Sequence, residues 1–152
     1  MIGGQGSGGA VYSRRGMVLL ANTTVVSNTA TGGVSGAYGL NQSYKGGDSR
    51  GAGICAEDSS LIAIDSAFSG NVAVGGSQAP FFVFTGWFGS ARGGAICFTN
   101  GSTTITRCAF TTNSALTYPT RTASSDAAGG AIYSHGPLTV SESSLVGNVV
   151  SS

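Results

Sequence analysis

Six acidic side chains are the candidates for acid–base or metal chemistry in this 152-residue chain. Three charged residues, Asp65, Arg107 and Glu142, occupy equivalent positions of an internal repeat, and Asn22 heads the same column. Enzymes that cleave polysaccharides need clustered carboxylates for calcium binding or for acid–base catalysis. An alternation of negative, positive and negative charges on neighbouring strands is instead typical of a structural ion ladder. The column therefore predicts cohesion between repeats rather than a catalytic pair of carboxylates.

Other groups that could react or bind a metal ion are few. His135 is the single histidine, and its position between Ser134 and Gly136 predicts a turn residue. No Cys-x-x-Cys or Cys/His spacing indicates a zinc site, and no Gly-x-Ser-x-Gly element presents a nucleophilic serine. The sequence therefore predicts no catalytic residue, no metal site and no cofactor.

Two cysteines occupy the same position in neighbouring repeats. Cys55 and Cys97 each follow the first glycine of their repeat by four residues. Adjacent parallel strands lie about 4.8 Å apart, which is within the range of a disulfide. An inter-repeat disulfide and a pair of buried free thiols are both compatible with this spacing. Cys108 is left over, since three cysteines cannot all pair within one chain.

The element that positions these residues is a unit that occurs four times. Each unit opens on glycines followed by an aliphatic residue, at Gly8-Gly9-Ala10-Val11, Gly51-Ala52-Gly53-Ile54, Gly93-Gly94-Ala95-Ile96 and Gly129-Gly130-Ala131-Ile132. Each closes on an asparagine three residues after an apolar residue, at Val25/Asn28, Phe68/Asn71, Phe110/Asn113 and Leu145/Asn148. The first glycine and the asparagine are 20 residues apart in the first three units (28 − 8, 71 − 51, 113 − 93) and 19 in the fourth (148 − 129). A fixed internal distance is the mark of a repeat protein, and the missing residue falls near Gly136-Pro137.

Apolar residues inside each unit alternate with a period of two, which predicts strands. The equivalent pairs are Val18/Leu20, Leu61/Ala63, Thr103/Ile105 and Leu138/Val140. A single unit cannot bury its apolar face, but stacked units bury a continuous column. We therefore expect one all-β domain over residues 1–152, a stack of about four coils with long inter-coil loops and repeats at approximately 8–50, 51–92, 93–128 and 129–152.

The closing asparagines and the glycines are interpreted as structural. Stacked asparagine amides can hydrogen-bond along the column, so Asn28, Asn71, Asn113 and Asn148 are predicted to form a ladder. Asparagine also tolerates the left-handed backbone of a sharp corner. The opening glycines suit a tight corner or a close approach between coils, and Gly46-Gly47-Asp48 predicts a turn.

Gly-Gly-Ala-Ile paired with Phe-x-x-Asn resembles the repeats of chlamydial-type polymorphic outer-membrane proteins. More broadly, the chain resembles the right-handed parallel β-helix, pectin-lyase-like passenger domains of secreted and autotransported surface proteins. Unit three matches both motifs in full, whereas unit four has Leu145 in place of Phe. The resemblance implies a right-handed parallel β-helix with a surface-exposed, non-catalytic role in adhesion or structure.

Composition excludes several classes of protein. Charged residues are only 9% of the chain and the net charge is +1, which argues against a nucleic-acid binder with a basic face. A hydrophobic content of 41% disfavours disorder, and no apolar run has membrane-spanning length. Neither terminus carries a polar cap, so we expect more chain on both sides or end-to-end stacking of copies.

An aromatic cluster is the candidate binding surface. It lies in the connection between units two and three and comprises Phe81, Phe82, Phe84, Trp87 and Phe88. Aromatic faces stack on sugar rings or anchor a protein partner. Alternatively, the insertion packs on the flank of the stack as a small core of its own.

Three glycosylation sequons begin at Asn22, Asn41 and Asn100, and all avoid the closing asparagine column. They favour a secretory route. The sequence thus predicts an extracellular structural or adhesive β-solenoid of a cell surface or filament, with other copies, surface proteins or glycans as partners. A carbohydrate-active β-helix enzyme or a glycan-binding module is the alternative.

Overall fold

A computed structural model describes residues 2–36, 45–77, 87–118 and 125–152 of the chain. The described residues form strands, turns and irregular segments without a helix, so the all-β prediction is confirmed. The strands fall into four layers, and each layer begins with a two-residue strand directly before its opening glycine. They are β1 (Gly6–Ser7), β2 (Val11–Arg14), β3 (Met17–Ala21), β4 (Thr24–Val26) and β5 (Thr29–Thr31) in layer 1; β6 (Ser49–Arg50), β7 (Ile54–Ile64), β8 (Ala67–Ser69) and β9 (Val72–Val74) in layer 2; β10 (Ala91–Arg92), β11 (Ile96–Thr106), β12 (Ala109–Thr111) and β13 (Ser114–Leu116) in layer 3; and β14 (Ala127–Ala128), β15 (Ile132–His135), β16 (Leu138–Ser141), β17 (Ser144–Val146) and β18 (Val149–Ser151) in layer 4.

Every layer contributes to each of four parallel sheets, and each strand pairs with its copy in the next layer. The first sheet has the strand order β1-β6-β10-β14. In the second sheet, β7 and β11 lie side by side, with β2 and β3 next to β7 and with β15 and β16 next to β11. The third sheet has the order β4-β8-β12-β17, and the fourth has the order β5-β9-β13-β18. Ile54 lies opposite Ile96, as the alignment of the repeats predicts. This arrangement of parallel sheets is compatible with a β-solenoid.

The period-two pattern decides which side chains face the interior. Leu61 and Ala63 on β7 are fully buried, whereas the alternating residues Ile62 and Ile64 are half-buried on the outer face. Successive side chains of a strand point to opposite faces, so the same alternation in each layer builds continuous internal columns. The large buried residues of these columns pack into one cluster.

The core is asymmetric in cross-section. On one side, the rings of Phe68 and Phe110 stack with centroids 4.6 Å apart and planes only 1° from parallel. On the other side, the buried column consists of alanines, namely Ala30, Ala52, Ala73, Ala91 and Ala115. Ser49 on β6 is also fully buried on this side, and its hydroxyl donates to the Ala30 carbonyl of β5 at 2.9 Å. Small side chains therefore lie between the first and fourth sheets, whereas the phenylalanine rings lie on the side of the third sheet.

Layer 4 is one residue shorter than layer 3 at the position where the sequence places the gap. His135 lies opposite Thr99, and Leu138 lies opposite Thr103. Two residues, Gly136 and Pro137, thus replace three. The shorter link divides the long strand of the second sheet into β15 and β16 but leaves the inward columns in register.

Corners in the chain use the left-handed backbone region. The first glycine of each opening has a positive φ, from 55° at Gly51 to 68° at Gly93. At the closing corner the residue before the asparagine has the positive φ, as in Thr112 at 52°. The prediction that the asparagine itself takes the left-handed conformation was wrong. The turn is made one residue earlier, which leaves the asparagine side chain in the interior, where its amide bonds to the asparagine of the next layer.

The layers are also joined by hydrogen bonds between the backbone groups of glycines that lie just before the first strand and just after the last strand of a layer. The sequence did not predict these bonds. The N–H of Gly33 donates to the carbonyl of Gly4, Gly47 donates to Gly33, and Gly76 donates to Gly47, at 2.7 to 2.8 Å. A Cβ atom at Gly47 would collide with the carbonyl oxygen of Gly4. The expectation of a turn at Gly46-Gly47-Asp48 was therefore wrong, since these residues form backbone contacts between layers.

Candidate functional site

The closing asparagines form one continuous hydrogen-bonded column through all four layers. The Nδ2 atoms of Asn28, Asn71 and Asn113 each donate to Oδ1 of the asparagine in the following layer, in every case at 2.9 Å. That oxygen also accepts the backbone N–H of the preceding asparagine at 3.0 to 3.1 Å. The second hydrogen of Nδ2 binds a carbonyl oxygen, as in the bond from Asn113 to Phe68. The amides of the two inner layers are thus fully used in joining the stack.

The charged column lies on the outside of the corner between the second and third sheets. Arg107 donates from Nε and Nη2 to the two carboxylate oxygens of Asp65, at 2.7 and 2.9 Å. Both side chains are exposed. Asn22, Asp65, Arg107 and Glu142 all have φ between 48° and 50°. The corner geometry therefore repeats in every layer and sets the side chains in a row along the stack.

The ion pair fixes the charge state of its partners. Hydrogen bonds from Arg107 hold the pKa of Asp65 below its usual range, and the same bonds raise the pKa of Arg107. A carboxylate that stays ionised has no proton to donate at neutral pH, and the two hydrogen bonds from Arg107 occupy part of its accepting capacity. Asp65 is therefore unsuited to acid catalysis.

An open groove of about 770 Å³ follows this corner across all four layers. Behind the charged column it contains a second column of small polar side chains, Thr23, Ser66, Cys108 and Ser143. Ser66 Oγ accepts the N–H of Thr23, and Ser143 Oγ accepts the N–H of Cys108. Each hydroxyl donates to the carbonyl two residues earlier, and the Cys108 thiol does the same at 3.3 Å.

The sequence analysis did not predict this hydroxyl column. Its signal is the recurrence of a small polar residue directly before each strand of the third sheet, which an alignment of the four units shows. Cys108 takes the place of a hydroxyl there. Among the residues with described positions, no hydrogen bond runs from the Ser66 N–H to the Cys108 sulfur, whereas the corresponding bonds exist in the layers on either side. A thiol is a weak acceptor, which accounts for the difference.

Cys55 and Cys97 lie directly opposite each other on β7 and β11. Both are free thiols, and they are 1% and 0% exposed. Hydrogen bonding to Cys55, together with burial, raises the pKa of the Cys97 thiol. Burial keeps both thiols away from oxidants and metal ions in solution.

Trp87 and Phe88 of the aromatic cluster lie within the described residues. Trp87 is 48% exposed and forms an isolated parallel bridge with Lys45. Phe88 packs on Tyr118 with ring centroids 5.6 Å apart. Phe81, Phe82 and Phe84 lie outside the described residues. An exposed Trp87 beside a packed Phe88 is consistent with both interpretations of the insertion.

Two of the three sequon asparagines are exposed and have a positive φ, Asn22 at the corner after β3 and Asn100 within β11. Asn22 has φ of 50°, and Asn100 has φ of 57° and donates to Asp58 at 3.1 Å. Asn41 lies outside the described residues. A glycan on Asn22 or Asn100 would project away from the core.

The predicted turn residue His135 is instead the last residue of β15 and is exposed. Within the described ranges, no three His, Cys, Asp or Glu side chains are grouped so that they could hold a metal ion. No helix long and apolar enough to span a bilayer occurs in that part of the chain.

Comparisons of the chain with protein-family models, with curated proteins and with solved structures found no match.

Proposed function

We propose that this chain is an extracellular structural or adhesive module that acts by its shape and not by catalysis. The observation that carries the proposal is how the carboxylates are used. Four of the six acidic side chains accept a hydrogen bond from a neighbouring layer, in the pairs Ser90–Asp48, Tyr12–Glu57, Asn100–Asp58 and Arg107–Asp65. Polar groups that join layers stabilise the stack and are not free to act on a substrate.

The proposed winding is a right-handed parallel β-helix, as in the passenger domains that the repeats resemble. Connections between parallel strands of one sheet are right-handed in nearly all proteins, because a right-twisted strand returns to its own sheet most easily in that direction. Each sheet here contains four parallel positions joined by long crossovers. The same steric preference therefore acts at every layer.

An extracellular location is supported by the surface of the described residues. Asn22 and Asn100 are both exposed. Asn22 lies at the corner after β3, and a glycan on Asn100 would replace the hydrogen bond from its Nδ2 to Asp58 of layer 2. Expression through a eukaryotic secretory pathway, followed by endoglycosidase digestion, tests this point. We expect a mass shift that decreases when Asn22 or Asn100 is changed to Gln, and unglycosylated secreted protein would contradict the proposal for that site.

Turnover assays separate the structural role from the enzymatic alternative. The purified chain is incubated with a panel of acidic and neutral polysaccharides, and new reducing ends and unsaturated products are measured. We expect none. Turnover that disappears in Glu142→Gln would overturn the proposal, because Glu142 is the groove carboxylate that pairs with no cation among the described residues.

Adhesion is tested by retention on glycans or cell surfaces. Trp87→Ala is compared with Tyr12→Ala, since the two aromatic side chains are 48% and 49% exposed but lie in different parts of the stack. Selective loss of retention in Trp87→Ala assigns adhesion to the aromatic insertion. Equal retention in both variants removes the insertion from the proposal and leaves a purely structural role.

A further inference from the structure

The flank of the stack carries one arginine that packs on the ring of a tyrosine. Arg92 is the last residue of β10, and its side chain points outward because the neighbouring Ala91 faces the core and is fully buried. The guanidinium carbon of Arg92 lies 5.2 Å from the centre of the Tyr133 ring, which stands on β15. A further layer at either end of the stack would lie beside these two side chains and not on top of them. The Arg92–Tyr133 pair is therefore a feature of the flank and not of an end.

A comparison of two layers explains why Arg92 lacks a counter-ion. Arg50 occupies the equivalent position in layer 2 and lies directly opposite Arg92. Its Nη1 donates to Oε1 of Glu57 at 3.2 Å, so the charge of Arg50 is neutralised on the outer face of its own layer. In layer 3, Thr99 stands at the position of Glu57. Layer 3 thus keeps the arginine but has no carboxylate beside it.

No other acidic side chain takes the place of that carboxylate. All six acidic residues lie within the described ranges, and the ion pairs that they form there are with Lys45, Arg50 and Arg107. A guanidinium that stacks on a ring keeps its N–H donors in its own plane, where they fit the two oxygens of an oxyanion such as a carboxylate. Arg92 is half-buried, and a partly dehydrated charge attracts an oxyanion more strongly than one in bulk water. Arg92 is thus charged and oriented for an oxyanion from outside the chain.

The outward positions next to this pair supply hydrogen-bonding groups. Thr99 and His135 lie opposite each other, two residues beyond Cys97 and Tyr133 along their strands. His135 is exposed and Thr99 is half-buried. A hydroxyl and an imidazole both donate and accept hydrogen bonds, and outward positions along a strand repeat about every 7 Å. The site is therefore longer than a single oxyanion and combines one cation, one aromatic ring and neutral polar groups.

We propose that Arg92, Tyr133, Thr99 and His135 bind an anionic polysaccharide, whose sugar rings carry carboxylate or sulfate groups. Arg92 binds one oxyanion through two parallel hydrogen bonds, and Tyr133 holds the guanidinium in position. Thr99 and His135 bind hydroxyl groups of the adjoining sugar. This inference rests on the proposed adhesive role and names the class of its ligand.

The low charge of the chain favours a polysaccharide over a nucleic acid. Single-stranded nucleic acids bind where a positively charged groove follows their backbone and aromatic side chains stack on their bases. The net charge here is only +1, and neutral hydrogen-bonding groups lie beside Arg92 and Tyr133 where such a groove would have further cations. A polymer with a few charges among many hydroxyl groups fits this arrangement.

Binding is measured by biolayer interferometry at about 0.15 M salt on four immobilised polymers: polygalacturonate, dextran sulfate, uncharged dextran and a single-stranded oligonucleotide of thymidines. We expect binding to polygalacturonate, to dextran sulfate or to both, which distinguishes carboxylate from sulfate, and none to uncharged dextran. Binding to neither anionic polysaccharide overturns the inference. Tighter binding to the oligonucleotide overturns it in favour of a nucleic-acid ligand.

Two arginine variants separate a specific site from general charge attraction. Arg92→Gln and Arg107→Gln change the net charge equally, but Arg107 follows the other end of β11 and pairs with Asp65. We expect Arg92→Gln to weaken binding at least about tenfold, since it removes charge-assisted hydrogen bonds. Arg107→Gln should change the affinity less than about twofold, because salt screens distant charges. Equal weakening in the two variants would refute the site.

Variants of Tyr133 test whether the ring positions the guanidinium. Tyr133→Phe keeps a ring against Arg92 and should bind within about twofold of the unmodified chain, whereas Tyr133→Leu should bind at least about threefold more weakly, with an unchanged circular dichroism spectrum. Full affinity in Tyr133→Leu would contradict the role of the ring. A chain that is retained on cell surfaces but binds no anionic polysaccharide would contradict this inference alone, so its failure is distinguishable from a failure of the proposed function.

Discussion

Removing one inner amide of the asparagine column tests whether that column holds the layers together. Asn113 is fully buried, and its side chain makes four hydrogen bonds. Oδ1 accepts the N–H and Nδ2 of Asn71, while Nδ2 donates to the Phe68 carbonyl and to Oδ1 of Asn148. In Asn113→Ala, two donors of Asn71 lose their acceptor in a site that water does not reach.

The size of the effect follows from these two donors. A buried polar group left without a partner costs about 1–3 kcal/mol, so two of them give a loss of about 4 kcal/mol in the free energy of unfolding. Asn148→Ala removes the same two contacts one layer further on, from Asn113. Asn148 is only half-buried and belongs to the end layer, where water can replace it. We therefore expect a loss of about 1 kcal/mol there.

Both losses are measured by urea unfolding with circular dichroism as the signal. The comparison requires that the dependence of the unfolding free energy on urea concentration is the same in the variants and in the unmodified protein. Thr111→Ala is the control, because Thr111 is two residues from Asn113, half-buried and on the outer face. Its loss should stay below about 1 kcal/mol. If Asn113→Ala costs no more than Asn148→Ala or Thr111→Ala, the column does not join the layers in the way that its geometry indicates.

Three further predictions concern other columns. Gly47→Ala should lower the free energy of unfolding by about 3 kcal/mol or more, because the added Cβ atom would collide with the Gly4 carbonyl oxygen. Gly4→Ala is the control in urea unfolding, and it should be nearly neutral because nothing lies within 4 Å of the added atom. Cys108→Ser should raise stability by about 1 kcal/mol by giving the Ser66 N–H a hydroxyl acceptor, and a lower melting temperature would contradict this. In Arg107→Met, an NMR titration should find the pKa of Asp65 moved up toward its usual value. The stabilising effect of the pair should be complete above the unfolded-state pKa of about 3.9 and should disappear as the pH falls through the lowered pKa of folded Asp65.

The spacing of the sequence was sufficient to predict the layers and their register. Inward side chains recur at a constant distance from the opening glycines, and strands in a parallel stack pair with their own copies. Ile54 and Ile96 therefore had to meet once the repeat was recognised. The missing residue of unit four could also be placed, since it changes the spacing on only one side of Gly136-Pro137.

Contacts between different parts of neighbouring layers could not be predicted in this way. The glycine column joins the end of one turn to the start of the next, as in the bond from Gly47 to Gly33. These residues are not equivalent in the repeat, so aligning the units does not reveal them. The left-handed residue at the closing corner was missed for a related reason. Serine, threonine and glycine all occur at that position in the four units, so its residue type gives no signal. The left-handed conformation was therefore assigned to the asparagine that follows it, which is the same in every unit.

The regularity of the stack also determines where its function can lie. Each inner layer uses its asparagine, its inward apolar side chains and much of its charge on the layers next to it, so these groups are unavailable to outside molecules. What remains is the outer face of the sheets and the insertions between layers.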